Sequence, residues 1–227
     1  LLRWDSPNLG SVSPDEFIPI SEATGLIVPI GDWVLRTACK EAATWRKLIA
    51  DEVHVGVNLS SVQFLQGDLF NKVENALAEA SLPARLLDLE LTESILVANP
   101  EETINTLKRL KDMGAYVSID DFGTGYSSLS YLTRFPLDNL KIDRAFVTNL
   151  PDKEDAVAIV RAIISMAKSL NLNIIAEGVE TESQISFLHA LGCQMGQGYL
   201  FSRPVEATEF VKLLTRDRGL FLAAEWA

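Results

Sequence analysis

Short apolar runs rich in leucine and β-branched residues alternate along this chain with longer stretches of helical period, the pattern of an α/β fold. Strands are expected at Leu1–Trp4, Val53–Asn58, Leu87–Leu91, Tyr116–Asp120, Asn139–Ile142, Asn173–Ala176 and Gln194–Tyr199. Helices are expected near Ile30–Ala50, Gln63–Ala80, Pro100–Met113, Lys153–Leu170, Glu182–Leu191 and Ala207–Thr215. Val157, Val160, Ile163, Ile164, Ala167 and Leu170 form one broad apolar face, suited to covering a sheet. Asn99-Pro100-Glu101-Glu102 reads as a helix start, with a cap, a first-turn proline and a glutamate three positions after the cap.

Seven strands are one short of a closed eight-stranded barrel. The first starts at Leu1 with no approach sequence, so the chain is expected to be cut at its beginning. A length of 227 residues fits one large domain better than two. No repeat, low-complexity tract or composition break marks a linker. The tail Thr215–Ala227 could pack as a terminal helix or lead toward another domain.

An apolar content of 48% supports a sizeable core, while a net charge of −11 argues against a nucleic-acid groove and thus against DNA as a partner. Acidity does not exclude a phosphodiester substrate if metal ions neutralise the phosphate. Cys39 and Cys193 stand in unrelated contexts, which excludes a disulfide framework and a thiolate metal site. With only His54 and His189 present, a histidine-based zinc site is also excluded. There is no leader-like segment or run of 18 apolar residues. The segment is expected to be cytoplasmic without direct membrane insertion, an anchor elsewhere in a longer parent chain remaining open.

The candidate chemistry sits at the C-terminal ends of the expected strands, where function collects in α/β barrels and open sheets. Val117 and Ile119 lead into the adjacent carboxylates Asp120 and Asp121 and then a glycine-rich turn. Such a pair repels unless a cation or strong hydrogen bonds hold it. The structural alternative is an Asx-turn. Glu90, between Leu89 and Leu91, points away from the helices into the barrel mouth, or else faces solvent at a strand end. Asn58 could ligate a hard cation or cap the turn at Ser60 or Ser61. Lys141, between Leu140 and Ile142, should point inward, toward a reacting phosphate, an internal salt bridge to Glu90 or Asp120, or both. Glu177 suits metal binding or proton handling, and Glu180 suits a helix start and the holding of the glycine-rich loop. Gln197, flanked by Gly196 and Gly198, is a hydrogen-bonding candidate, and Arg3 offers a phosphate-matching fork. Oxygen ligands favour Mg²⁺ or Mn²⁺. Two such ions about 3.5–4 Å apart would clamp a phosphodiester and activate water.

The chain resembles the EAL family of cyclic di-GMP phosphodiesterases. The resemblance rests on Leu1-Leu2-Arg3-Trp4, Pro14-Asp15-Glu16-Phe17-Ile18-Pro19, Val57-Asn58-Leu59-Ser60 and Glu90-Leu91-Thr92-Glu93. It continues through Asp120-Asp121-Phe122-Gly123-Thr124-Gly125-Tyr126-Ser127-Ser128-Leu129, Leu140-Lys141-Ile142-Asp143, Ala176-Glu177-Gly178-Val179-Glu180 and Gln197-Gly198-Tyr199. It implies a modified TIM (β/α)8 barrel with one antiparallel strand and hydrolysis of cyclic di-GMP to linear pGpG with two Mg²⁺ or Mn²⁺ ions. By resemblance, Asn58, Glu90 and Asp120 would bind metal, with Asp121 completing the second ion's shell. Lys141 would contact the nucleophilic water, and Glu177 would bind metal or tune that water. Gln197 would place the water, Arg3 would contact a substrate phosphate, and Glu180 would anchor the loop Asp121–Leu129. That loop links dimerisation to activity in the family, so a homodimer is expected, with a sensory or diguanylate cyclase-type domain as a candidate attachment. The signature glutamate and alanine would precede Leu1, leaving a single, N-terminally incomplete EAL-type domain over residues 1–227.

Two rivals remain at this level. A receptor could bind cyclic di-GMP without cleaving it, and a different Mg²⁺-dependent barrel, enolase-like or aldolase-like, could act on a carboxylate or carbonyl. A purely structural domain is the weakest option, since burying so many charges without a ligand destabilises a fold.

Overall fold

The computed structural model describes residues 2–48, 53–123 and 132–216. Expectations for Leu1, for Thr124–Leu129 and for the tail beyond residue 216 lie outside them.

Six parallel strands form a curled, open half-barrel: β3 (Val55–Leu59), β4 (Leu87–Thr92), β5 (Tyr116–Phe122), β6 (Asn139–Ile142), β7 (Asn173–Glu177) and β8 (Met195–Gln197). They pair in sequence order. A separate antiparallel pair, β1 (Trp4–Ser6) with β2 (Gly10–Val12), precedes them. The strand expected at Leu1–Trp4 therefore belongs to this small hairpin, not to the main sheet. Gly10, at φ +72°, makes the tight return that its position at the start of β2 requires.

The helices are α1 (Pro14–Thr24), α2 (Ile27–Leu48), α3 (Ser61–Leu65), α4 (Leu69–Ala80), α5 (Glu93–Ala98), α6 (Pro100–Met113), α7 (Arg144–Val147), α8 (Glu154–Ser169), α9 (Glu182–Ala190) and α10 (Ala207–Arg216). The single helix expected over Gln63–Ala80 is two, because Ser60 and Gln63 form a capping box that starts α3 and Gly67 turns the chain at φ +79°. Asn99 stands at the start of α6 but caps no backbone group. Its amide instead donates to Glu102 Oε2 at 2.6 Å. The α8 face buries Val160, Ile163, Ile164 and Ala167 as its spacing requires.

The sheet has two chemically different faces. Leu87, Leu89 and Leu91 of β4, Val117 and Ile119 of β5, Leu140 and Ile142 of β6, and Ile174 and Ala176 of β7 are all fully buried in the core with the helices. Because strand side chains alternate, the intervening residues face the barrel interior. There they read Asp88 and Glu90, Ser118 and Asp120, Asn139 and Lys141. An ordinary barrel fills this space with branched apolar side chains. Here it is polar, and that inversion builds the site.

Candidate metal centre

Lys141 is the hub. Its side chain is 3% exposed, and Nζ lies 2.8 Å from Glu90 Oε2, 3.2 Å from Asp120 Oδ2 and 2.7 Å from Glu177 Oε1. Adjacent parallel strands β4, β5, β6 and β7 thus send one charged side chain each to a common point. Burial alone would drive the ammonium to lose its proton, but Glu90, Asp120 and Glu177 outweigh it and raise the Lys141 pKa above its ordinary value. Burial raises the Glu90 and Glu177 carboxyls, with Lys141 pulling against it.

Asp120, Asp121 and Glu177 each offer a carboxylate oxygen, and these oxygens lie within 4.8 Å of one another. A register shift between Ile119 and Phe122 breaks the β5–β6 ladder at this point. Such a bulge re-aims consecutive side chains to one side. Asp121 adopts φ +53°, and its N–H donates to Asp120 Oδ1 at 2.9 Å. Burial, reinforced by the Asp120, Asp143 and Glu177 carboxylates, raises the Asp121 pKa to about 6. All-oxygen donors in an acidic cleft fit a hard divalent cation.

Three further positions shape this mouth. A Cβ on Gly56 of β3 would sit 2.3 Å from Glu90 Oε1, so the bare backbone there makes room for that carboxylate. Gly123 N–H donates to the buried Glu93 at 3.4 Å, fixing the exit of β5 to the start of α5. A Cβ on Gly198 would lie 2.1 Å from the Val179 carbonyl oxygen, and this close approach lets the turn after β7 lie on β8.

Asn58 is exposed and directly opposite Glu90 in the β3–β4 register, and Gln197 is exposed and opposite Glu177 in the β7–β8 register. Both flank the centre. Arg3 is exposed and donates to the Leu2 carbonyl oxygen, with no contact to the centre among the described interactions. Glu180 is paired at 3.4 Å with Arg144 on the surface, and most of the loop it was expected to anchor lies outside the described residues. Glu93, in Glu90-Leu91-Thr92-Glu93, is legible from sequence as a supporting or helix-start group, whereas Gly56 carried no signal, since its role depends on a neighbouring strand. His54 packs edge-on against Tyr116. Burial pushes the Cys39 and Cys193 thiols up to about 11, which leaves both inert.

A parallel half-barrel with an acidic mouth of this kind is the framework of a barrel domain able to hold a metal ion. The chain belongs to the EAL-domain family, whose profile matches residues 1–204. It is 46% identical over 211 residues to the bifunctional diguanylate cyclase/cyclic di-GMP phosphodiesterase MucR of Pseudomonas aeruginosa, covering 93% of this chain and 31% of that protein. It is 40% identical over 216 residues to the cyclic di-GMP phosphodiesterase PdeR of Escherichia coli, covering 95% of this chain and 32% of that protein. The structure of the PaMucR phosphodiesterase in complex with c-di-GMP superposes with a TM-score of 0.88 at 47% identity, covering 92% of this chain and 85% of that one. The chain thus spans about a third of the length of these curated relatives. Among the described residues, no helix is long and apolar enough to cross a membrane.

Proposed function

We propose that this domain hydrolyses cyclic di-GMP to linear pGpG, using two Mg²⁺ or Mn²⁺ ions. The observation that carries the reading is the convergence of Glu90, Asp120 and Glu177 on Lys141, with Asp121 beside them. Relatives named as cyclic di-GMP phosphodiesterases, and a superposable structure that holds c-di-GMP, support the substrate.

Asp120, Asp121 and Glu177 would hold one ion, and Asn58 with Glu90 would extend the ligand set to a second. Bound ions would neutralise the phosphodiester oxygens and acidify water. In the hydrolysis a water oxygen forms the new bond to phosphorus, the bond to the 3′ oxygen breaks, and that oxygen takes up a proton. Lys141 keeps a fixed positive charge beside the developing negative charge. Glu177, its carboxyl raised by burial with Lys141 pulling against it, would bind metal or tune that water. Gln197 orients the attacking water, and Arg3 holds a substrate phosphate. Glu180 steadies the loop Asp121–Leu129, through which a homodimer would tune activity. The greater length of the relatives supports an attached sensory or diguanylate cyclase-type module.

Incubation with cyclic di-GMP and Mn²⁺, followed by chromatography, tests this reading. Appearance of pGpG is expected. Tight binding with no product would instead make the domain a receptor.

A further inference from the structure

Beneath the acidic mouth, one layer deeper in the barrel, runs a second set of polar side chains. Asp88 Oδ2 accepts from Ser118 Oγ at 2.6 Å and from Asn139 Nδ2 at 3.1 Å. Asn139 Nδ2 also donates to Ser118 Oγ at 2.9 Å, and Asn139 Oδ1 accepts from Asn173 Nδ2 at 3.0 Å. Ser118 is wholly buried, and Asp88 and Asn139 are nearly so. The result is a side-chain ladder across β4, β5, β6 and β7.

Each rung lies below a residue of the centre. Asp88 is two positions before Glu90, Ser118 two before Asp120, and Asn139 two before Lys141, while Asn173 is four before Glu177. Alternation puts each pair on the same face, with roughly 6.6 Å between the i and i+2 positions. Backbone ladders fix strand spacing, but a parallel pair can still tilt or shear slightly. Mg²⁺ demands near-ideal geometry, with donor distances of about 2.0–2.1 Å. A strand displaced by a fraction of an ångström therefore spoils a ligand. A hydrogen bond buried at low dielectric is stronger than one in water, so each such bond stiffens the strands it joins. An apolar layer in this place would pack without directional bonds.

We propose that Asp88, Ser118 and Asn139 are positioning residues that hold the four charge-bearing strands in the alignment the metal centre needs. The proposal deepens the metal-using reading and rests on it. Asp88 is the anchor, because one oxygen receives both buried donors while its Oδ1 is buried without a hydrogen-bond partner among the described residues. An asparagine there keeps an accepting oxygen in place. A leucine removes it.

The test is a titration of Mn²⁺ by electron paramagnetic resonance of the free ion, on the unmodified chain and on Asp88→Leu, Asp88→Asn and Asn139→Leu. Thermal melting in chelator is measured alongside. Both leucine variants should weaken Mn²⁺ binding by at least fivefold, and Asp88→Asn should stay within twofold of the unmodified chain. A network that only stabilises the fold would lower the melting temperature while the folded protein kept its Mn²⁺ affinity, and that result would overturn the proposal. If neither leucine variant folds, Ser118→Ala, which removes one hydroxyl, decides by the same measurement. Because the readout is ion binding, a chain that binds Mn²⁺ yet makes no pGpG would sink the phosphodiesterase reading and leave this one standing.

Discussion

Lys141 has as many carboxylate partners as an ammonium has protons, and three different strands supply them. Removing it leaves three partly buried carboxylates without compensation, at a cost of about 3–5 kcal/mol in metal-free protein. Lys141→Met is therefore expected to melt well below the unmodified chain in chelator and to recover part of the difference when Mn²⁺ is added. Its turnover should fall about 10²-fold, as for loss of one fixed electrostatic donor. Equal melting temperatures in chelator would contradict the ion-pair reading. Asp121 gives a pH prediction. Its folded-state pKa of about 6 stands above the ordinary 3.8, so ionisation is disfavoured in the folded chain. Stability from this group is complete below about pH 4 and is lost as pH rises through 6. Melting of the chelated protein between those values should flatten in Asp121→Asn. Parallel curves would refute the assignment. At this scale Glu90, Asp120 and Lys141 were legible because each interrupts an apolar alternation. Asp88, Ser118 and Asn139 were not, since ordinary polar residues gain meaning only from neighbours up to 51 positions away.

Elements were legible where period and punctuation agreed. The six main strands and the long helices stand within a few residues of expectation, because apolar faces that must cover one another leave little freedom. What was missed was short or local. The signals for α1 were present: Ser13 caps it, Pro14 opens it, and Gly25 closes it at φ +75°. The break between α3 and α4 turned on one glycine. Gly198 matters most among these local features, because its missing side chain lets the β7–α9 turn press on β8. Gly198→Ala should destabilise the chain by about 1–3 kcal/mol, the usual cost of overpacking, as measured by urea unfolding. Since that turn follows Glu177 and the strand carries Gln197, the substitution should also reduce turnover. A variant with full stability and full turnover would show that the turn can move freely.

Across the whole molecule, the proposed metal binding at the acidic cluster would link metal and fold. A cation that binds only the folded chain raises its stability by about 2.7 kcal/mol at one hundred times its dissociation constant. Melting in Mn²⁺ should therefore exceed melting in chelator, and Glu90→Gln should narrow the gap. No shift on adding Mn²⁺ would argue against the centre. The two-faced sheet carries a last consequence. If β4 slipped by a single residue against β3, Leu89 and Leu91 would swing into the acidic mouth while Asp88 and Glu90 met the greasy backs of the helices. Mispaired chains are thus penalised on both sides at once, and the arrangement that can do chemistry is also the one the chain can tolerate.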